Sequence, residues 1–210
     1  KQKRPRLPGA SNRFHTACKS RGFCFAGGNL DCTLMPDPMI RSATRADVPA
    51  ITDIYAEAVK HGTATFELTP PDTAEMTRRF DELSRGGFPY LVAICDGSIA
   101  GYAYAALYRA RPAYRFTVEN SVYLAPANHR QGIGLALLTE LVVQCEARGF
   151  RQMIAVIGDS ANAASVGVHT RAGFEMTGTM KNVGFKFGRW LDTVLMQRPL
   201  GDGGTTLPKG

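Results

Sequence analysis

Five cysteines stand in this sequence, at 18, 24, 32, 95 and 145, and no two form a Cys-x-x-Cys pair. The usual spacing of a structural zinc site is therefore missing, and no metal is expected. Their unpatterned placement supplies no disulfide framework and fits a reducing, cytoplasmic compartment. No apolar run approaches the roughly 20 residues of a membrane-spanning helix, and no compact apolar segment marks a secretory signal. Internal repeats and low-complexity blocks are absent. A surplus of one charge is also missing where a nucleic-acid surface would need it. The formal charge is +7, but residues 1–39 alone hold seven Lys/Arg against Asp31 and Asp37. From residue 40 onward 18 basic residues meet 16 acidic ones. Aromatic interleaving in the basic stretch is thin (Phe14, Phe23, Phe25), so neither nucleic acid nor membrane is expected as a partner.

What is present describes one globular domain. The chain has 210 residues, 44% hydrophobic and 20% charged, enough for a single sizeable core. Residues 1–38 are expected to be a disordered leader or upstream extension, with Met39 as the natural start. Residues 39–200 form the domain, and 201–210 a flexible tail. The pattern predicts a strand over 40–43, then a helix with Asp47 as N-cap and a stripe of Ile51, Ile54, Tyr55, Ala58 and Val59. A second helix follows over 72–85. An Asp96-Gly97 hairpin joins strands 90–95 and 98–107. Further on come a strand at 153–157, a helix over 161–172, a strand or bent strand over 174–179 and 183–187, and a last strand over 192–198. This order predicts an α+β fold, a mixed and mostly antiparallel sheet flanked by helices.

The most informative stretch is TVENSVYLAPANHRQGIGLALLTELVVQCEARG, residues 117–149. Val118, Asn120, Val122 and Leu124 alternate with Glu119, Ser121 and Tyr123, as in a strand. Pro126 ends it, and an amphipathic helix begins at Ile133, with Leu137, Leu138, Leu141, Val142 and Cys145 on its stripe. Gly132 and Gly134 allow a ligand close to the backbone, and a helix start offers unpaired N–H groups and the positive end of its dipole. With Arg130 adjacent, this junction is a candidate phosphate site.

Strand, then Gln/Arg-x-x-Gly-x-Gly/Ala, then helix resembles the acetyl-CoA pyrophosphate site of the GNAT superfamily of N-acetyltransferases. His129 stands where that motif prefers Gln or Arg, with Arg130 and Gln131 directly after it. TATFELTP at 63–70, ARPAYRFTVENSVYL at 110–124, AVIGDSANAASVGVH at 155–169 and VGFKFGRWLD at 183–192 are similar to the phosphinothricin and methionine sulfone/sulfoximine acetyltransferase branch. The resemblance spans about residues 40–200 and implies acetyl-CoA as co-substrate, bound by Val122, Tyr123, Leu124, His129, Arg130, Gln131, Gly132, Ile133, Gly134, Asn162 and Ser165. It also implies a homodimer.

Acetyl transfer to an amine needs a base, a polarised carbonyl and a proton for the departing thiolate. Glu119 is the candidate base. On position alone it is equally a surface glutamate paired with arginine, and the resemblance favours the base. Asn162, Ser165 and His169 share one helix face. The resemblance puts His169 near the sulfur, where it would protonate the thiolate, while the plain alternative is a helix-face histidine holding the next strand. Substrate choice falls to Phe66, Arg109, Arg111, Tyr114, Ser121, Tyr123 and Val183, with the arginines as an anion fork or as solvated charge at a strand end. The expected substrate is a small amino acid carrying a second anionic or sulfonyl-like group. Protein amino termini, polyamines and a non-catalytic acyl-CoA-binding module are the alternatives.

Overall fold

The computed structural model describes residues 38–208, so the leader expected over 1–38 lies, Pro38 apart, outside the described residues. The elements are β1 (Met39–Ser42), α1 (Val48–His61), α2 (Thr73–Arg85), β2 (Tyr90–Cys95), β3 (Ser98–Leu107), β4 (Thr117–Leu124) and α3 (Ile133–Ala147). They continue with β5 (Gln152–Gly158), α4 (Ala163–Arg171), β6 (Glu175–Lys186) and β7 (Arg189–Pro199). The strands make one seven-stranded sheet in the order β1-β2-β3-β4-β5-β7-β6. Every neighbouring pair is antiparallel except β4 with β5. A parallel pair requires a long crossover, and α3 provides it. The expected α+β fold with a mixed, mostly antiparallel sheet is what the chain adopts.

Alternation along β4 divides the core in two. Val118, Val122 and Leu124 pack with Ile133, Leu137, Leu138 and Leu141 of α3 on one face. On the other, Tyr123 joins Ile51, Ile54 and Tyr55 of α1 and Met76 and Phe80 of α2. Leu137, Leu138 and Leu141 are fully buried, each contributing about 1.5–3 kcal/mol of apolar transfer. The α1–α2 face is lined by tyrosines: Tyr90, Tyr102, Tyr104 and Tyr123 stack across β2, β3 and β4, and Tyr55 meets Tyr123 edge-on at 5.0 Å.

Two local expectations need correction. Asp47 is not the side-chain cap of α1. It closes a 3₁₀ turn over Arg45–Asp47, accepting from the Thr44 N–H (2.7 Å) and hydroxyl (2.9 Å) and, twice, from Arg41. That is a Thr-x-x-Asp version of the capping box, and it holds the Asp47 carboxyl far below the usual carboxylate range, the Arg41 bonds contributing most. The strand or bent strand expected over 174–179 and 183–187 forms as one continuous strand, β6, with two register shifts against β7. Asn182, at φ 54°, falls within the second shift, where the extra residues bend the strand. Arg109 and Arg111 lie beyond the end of β3, because Pro112 starts a 3₁₀ turn over Pro112–Tyr114. At the other end of the domain, Arg151 reaches the tail through the Thr206 carbonyl at 3.2 Å and an ion pair with Asp202 at 3.5 Å.

Candidate active site

The parallel β4–β5 pair splays part-way along its length, and the splay makes a cavity. β4 and β5 pair only from Thr117–Asn120 to Gln152–Ala155 and then separate. The Ala125 N–H bonds Ala100 and the Thr117 carbonyl accepts from Tyr108, so odd-numbered β4 residues bond β3. By alternation the N–H and C=O of Val122 and Leu124 face the opening on the β5 side. The cavity is lined by Asn120, Ser121, Val122 and Tyr123, by Ala155–Gly158 of β5, by Asn162, Ser165 and His169, and by Ala64 from the α1–α2 connection.

One end of this opening runs to the start of α3. Arg130 and Gly132 take φ values of 62° and 80°, a left-handed turn that delivers the chain to the helix. The α3 N-cap is Gly132 and makes no side-chain cap bond, so the first-turn N–H groups gain no partner from that residue. Gly134 lies against Leu124, which brings this helix turn close to β4. Gln131 donates to the Ala127 carbonyl at 3.1 Å, and a His129 ring nitrogen lies 3.4 Å from the Leu124 carbonyl. Arg130 is exposed beside them. Backbone and one guanidinium here make a candidate anion site.

Glu119 sits on the α1–α2 face of β4 with Ser121 and Tyr123, half-buried, one residue before the cavity-lining stretch. Burial raises its pKa above the ordinary glutamate value, and the Arg109 guanidinium acts in the opposite direction. A carboxylate with a raised pKa beside a cavity is a proton acceptor poised nearer neutral pH. Arg109 lies over the Tyr108 ring at 4.5 Å, and with Arg111 and Tyr114 it lines a second depression in the β3–β4 connection.

On the opposite face His169 is 5% exposed, and both ring nitrogens meet protein acceptors. Nδ1 is 2.8 Å from the Ser165 carbonyl, and Nε2 is 3.0 Å from Asn120 Oδ1. The Asn120 amide is oriented by donating to the Ile154 carbonyl at 3.1 Å. This frame is complete only when both nitrogens carry protons, yet burial opposes the charge and the net pKa shift is downward. Asn162 caps α4 by accepting from the Ser165 N–H at 3.1 Å, which fixes the helix at Ala163 rather than Ala161.

Of the residues singled out from sequence, Ser121, Val122, Tyr123, Asn162, Ser165 and His169 gather around one cavity. Leu124, His129, Arg130, Gln131, Gly132, Ile133 and Gly134 form the turn at its end. Arg109, Arg111 and Tyr114 lie together in the second depression. Phe66 and Val183 line neither hollow: the Phe66 ring fills a notch over Gly158 and Gly184, and Val183 is 51% exposed on β6. Asn120, Ala64 and the four β5 residues Ala155–Gly158 were missed. Asn120 left a signal, a polar residue on the otherwise apolar face of β4; Ala64 left none.

A splayed β4–β5 pair with a left-handed turn into an uncapped crossover helix defines a class that holds a phosphate-bearing acyl donor along the sheet. The acetyltransferase (GNAT) domain family matches residues 40–195, and the chain belongs to that family, whose chemistry is acyl transfer. It is similar to phosphinothricin N-acetyltransferase of Alcaligenes faecalis, 55% identical over 170 residues covering 81% of this chain and 86% of the relative. It is also similar to the L-methionine sulfoximine/L-methionine sulfone acetyltransferase of Pseudomonas aeruginosa, 45% identical over 159 residues covering 75% and 92%. Among solved structures, a GNAT superfamily phosphinothricin acetyltransferase from Sinorhizobium meliloti in complex with acetyl-CoA matches with a TM-score of 0.80. It is 53% identical, covering 82% of this chain and 93% of that one. Among the described residues no helix is long and apolar enough to cross a membrane.

Proposed function

We propose that this chain transfers the acetyl group of acetyl-CoA to the amino group of a small amino-acid-like substrate of the phosphinothricin, methionine sulfone or methionine sulfoximine kind. The observation that carries the reading is the β4–β5 opening itself. It has an anion site at one end and, beside its lining, a half-buried carboxylate of raised pKa with an arginine close by. The residues present fit the donor: backbone N–H groups and Arg130 for the pyrophosphate, and the free edge of β4 at Val122 and Leu124 for the amide-bearing arm. Bound acetyl-CoA supplies an acyl carbon activated as a thioester.

Glu119 takes a proton from the substrate ammonium, directly or through one water, leaving a nucleophilic amine. The nitrogen bonds to the acyl carbon and the carbon–sulfur bond breaks, in a direct transfer with no acylated side chain. The Val122 N–H is directed at the thioester oxygen. The departing thiolate takes a proton from His169 in its doubly protonated form, which is left neutral; burial disfavours that form, so it is charged from solvent beforehand, and the Nε2–Asn120 contact must open for the proton to leave. Arg109 and Arg111 receive the substrate's acidic or sulfonyl-like group, and Ser121 and Tyr123 wall the slot. These arginines oppose a polyamine. Cys95, half-buried, and Cys145, buried, are free thiols, in keeping with a cytoplasmic setting. The apolar residues exposed on β6 and β7 form the contact of a homodimer.

Thiol release from acetyl-CoA tests this against methionine sulfone, methionine sulfoximine, phosphinothricin, spermidine and a peptide amino terminus. Turnover confined to the first three supports the reading. Turnover of spermidine or peptide alone removes the substrate pocket, and acetyl-CoA binding without turnover of any amine leaves a binding module.

A further inference from the structure

The tip of the β6–β7 hairpin carries two cations to which acetyl transfer assigns no task. Lys186, the last residue of β6, is 3% exposed, while Val183, Phe185 and Phe187 around it are more than half exposed. That inverts the usual order, since an ammonium is costly to bury unless fully partnered. Its partners are specific. Nζ donates to the Gly62 carbonyl at 2.8 Å and the Thr65 carbonyl at 2.9 Å, and lies 5.0 Å from the centre of the Phe187 ring. Across the turn Arg189 donates to Asp159 at 2.6 Å, and Asp159 accepts from the Ala161 N–H at 3.0 Å.

One gripped segment lines the cavity and the other adjoins it. Gly62–Thr65 contains Ala64, and Asp159–Ala161 leads into Asn162. The packing between them has no slack. A Cβ on Gly158 would lie 2.2 Å from the Thr63 carbonyl oxygen, and one on Gly184 would lie 2.3 Å from the Phe66 ring. The tip itself is held in an unfavourable form. Phe187 and Gly188, at φ 51° and 72°, are the two central residues of the turn, a conformation that a bulky side chain rarely adopts. Such strain persists only where surroundings enforce it. From the far side the Tyr55 hydroxyl reaches Thr65 Oγ1 at 3.0 Å and Glu67 at 2.9 Å. Tyr55 in turn packs on Tyr123, which shares its face of β4 with Glu119.

We infer that Lys186 is a positioning residue: its ammonium holds the Gly62–Thr65 segment against the hairpin and fixes the cavity wall on the Glu119 side, where the amine binds. The turn at the start of α3, where the pyrophosphate is expected, takes no contact from Lys186. The inference rests on the acetyltransferase reading for its kinetic consequence only.

The test is Lys186→Met, which keeps the unbranched chain to within one atom of its length and removes every donor. Hydrogen exchange of the amides in 63–67 is expected to accelerate about tenfold or more, with α3 unchanged. The amine KM is expected to rise about tenfold, with the acetyl-CoA KM within about twofold of wild type. Lys186→Arg, which keeps the charge and donors, is expected to recover part of both effects. If Lys186→Met does not fold, Lys186→Gln, with a single shorter donor arm, carries the same comparison. Unchanged exchange over 63–67, or two KM values that move together, overturns the inference. If the wild-type chain turns over no amine, the acetyltransferase reading fails, and the exchange comparison still decides the clamp.

Discussion

At Glu119 two opposing effects set one proton affinity. Burial raises the carboxyl's pKa, and Arg109 pulls it back. The base works only when deprotonated, so the acid limb of kcat/KM should lie above the ordinary glutamate value of about 4.3. Removing the arginine removes the opposing effect. Arg109→Ala should therefore move that limb to higher pH while raising the amine KM, as a pH series of thiol release will read. The same tyrosine-lined face holds a second testable group. The Tyr102 hydroxyl is buried with no hydrogen-bond partner. An unpaired buried hydroxyl costs about 1–3 kcal/mol, so Tyr102→Phe should leave stability unchanged or increase it by up to that amount in urea unfolding. Glu119 was legible in the sequence because alternation fixed its face and the family resemblance then favoured a base over a surface glutamate. Asn120 and Lys186 were not, since their partners, Ile154 and His169 for one and Gly62 and Thr65 for the other, lie 34 to 124 residues away in sequence.

Elements were read best where one local rule governed them. Helical spacing found α1, α2 and α3, and Asp96-Gly97, both at positive φ, formed the expected two-residue hairpin. Where side chains compete for the backbone, the boundaries moved: Thr44 with Asp47 created a 3₁₀ turn before α1, and Asn162 set the start of α4. Asn162→Ala should cost about 0.5–2 kcal/mol through the lost cap. Chemical denaturation will show this as a lowered midpoint, and the acetyl-CoA KM should rise because the same residue lines the cavity. The gap read at 180–182 marks the second register shift of β6, while the first, between Met176 and Gly178, left no mark, because a bulge is set by which residues the partner strand offers.

At the scale of the whole molecule the strand order was hidden. Nothing in the spacing of β5, β6 and β7 says that β7 inserts between the other two, and that insertion is what puts the hairpin tip against the α1–α2 connection. It also leaves Met180, Val183, Phe185, Phe187 and Trp190 exposed, between 43% and 61%, on one hairpin. Apolar exposure so concentrated marks a contact surface. The proposed homodimer predicts that Trp190→Asp combined with Phe185→Asp gives a monomer in sedimentation analysis, whereas the wild-type chain sediments as a dimer. A wild-type monomer would remove that proposal.

The central claim is that Glu119 accepts the amine's proton in an acetyl transfer. The most direct measurement is the pH dependence of kcat/KM for methionine sulfone, followed by thiol release, in wild type and Glu119→Gln. The account predicts an acid limb above the ordinary glutamate range in wild type, and in the variant no such limb and a rate lower by roughly 10²–10⁴. A variant that keeps both the limb and the rate would contradict it.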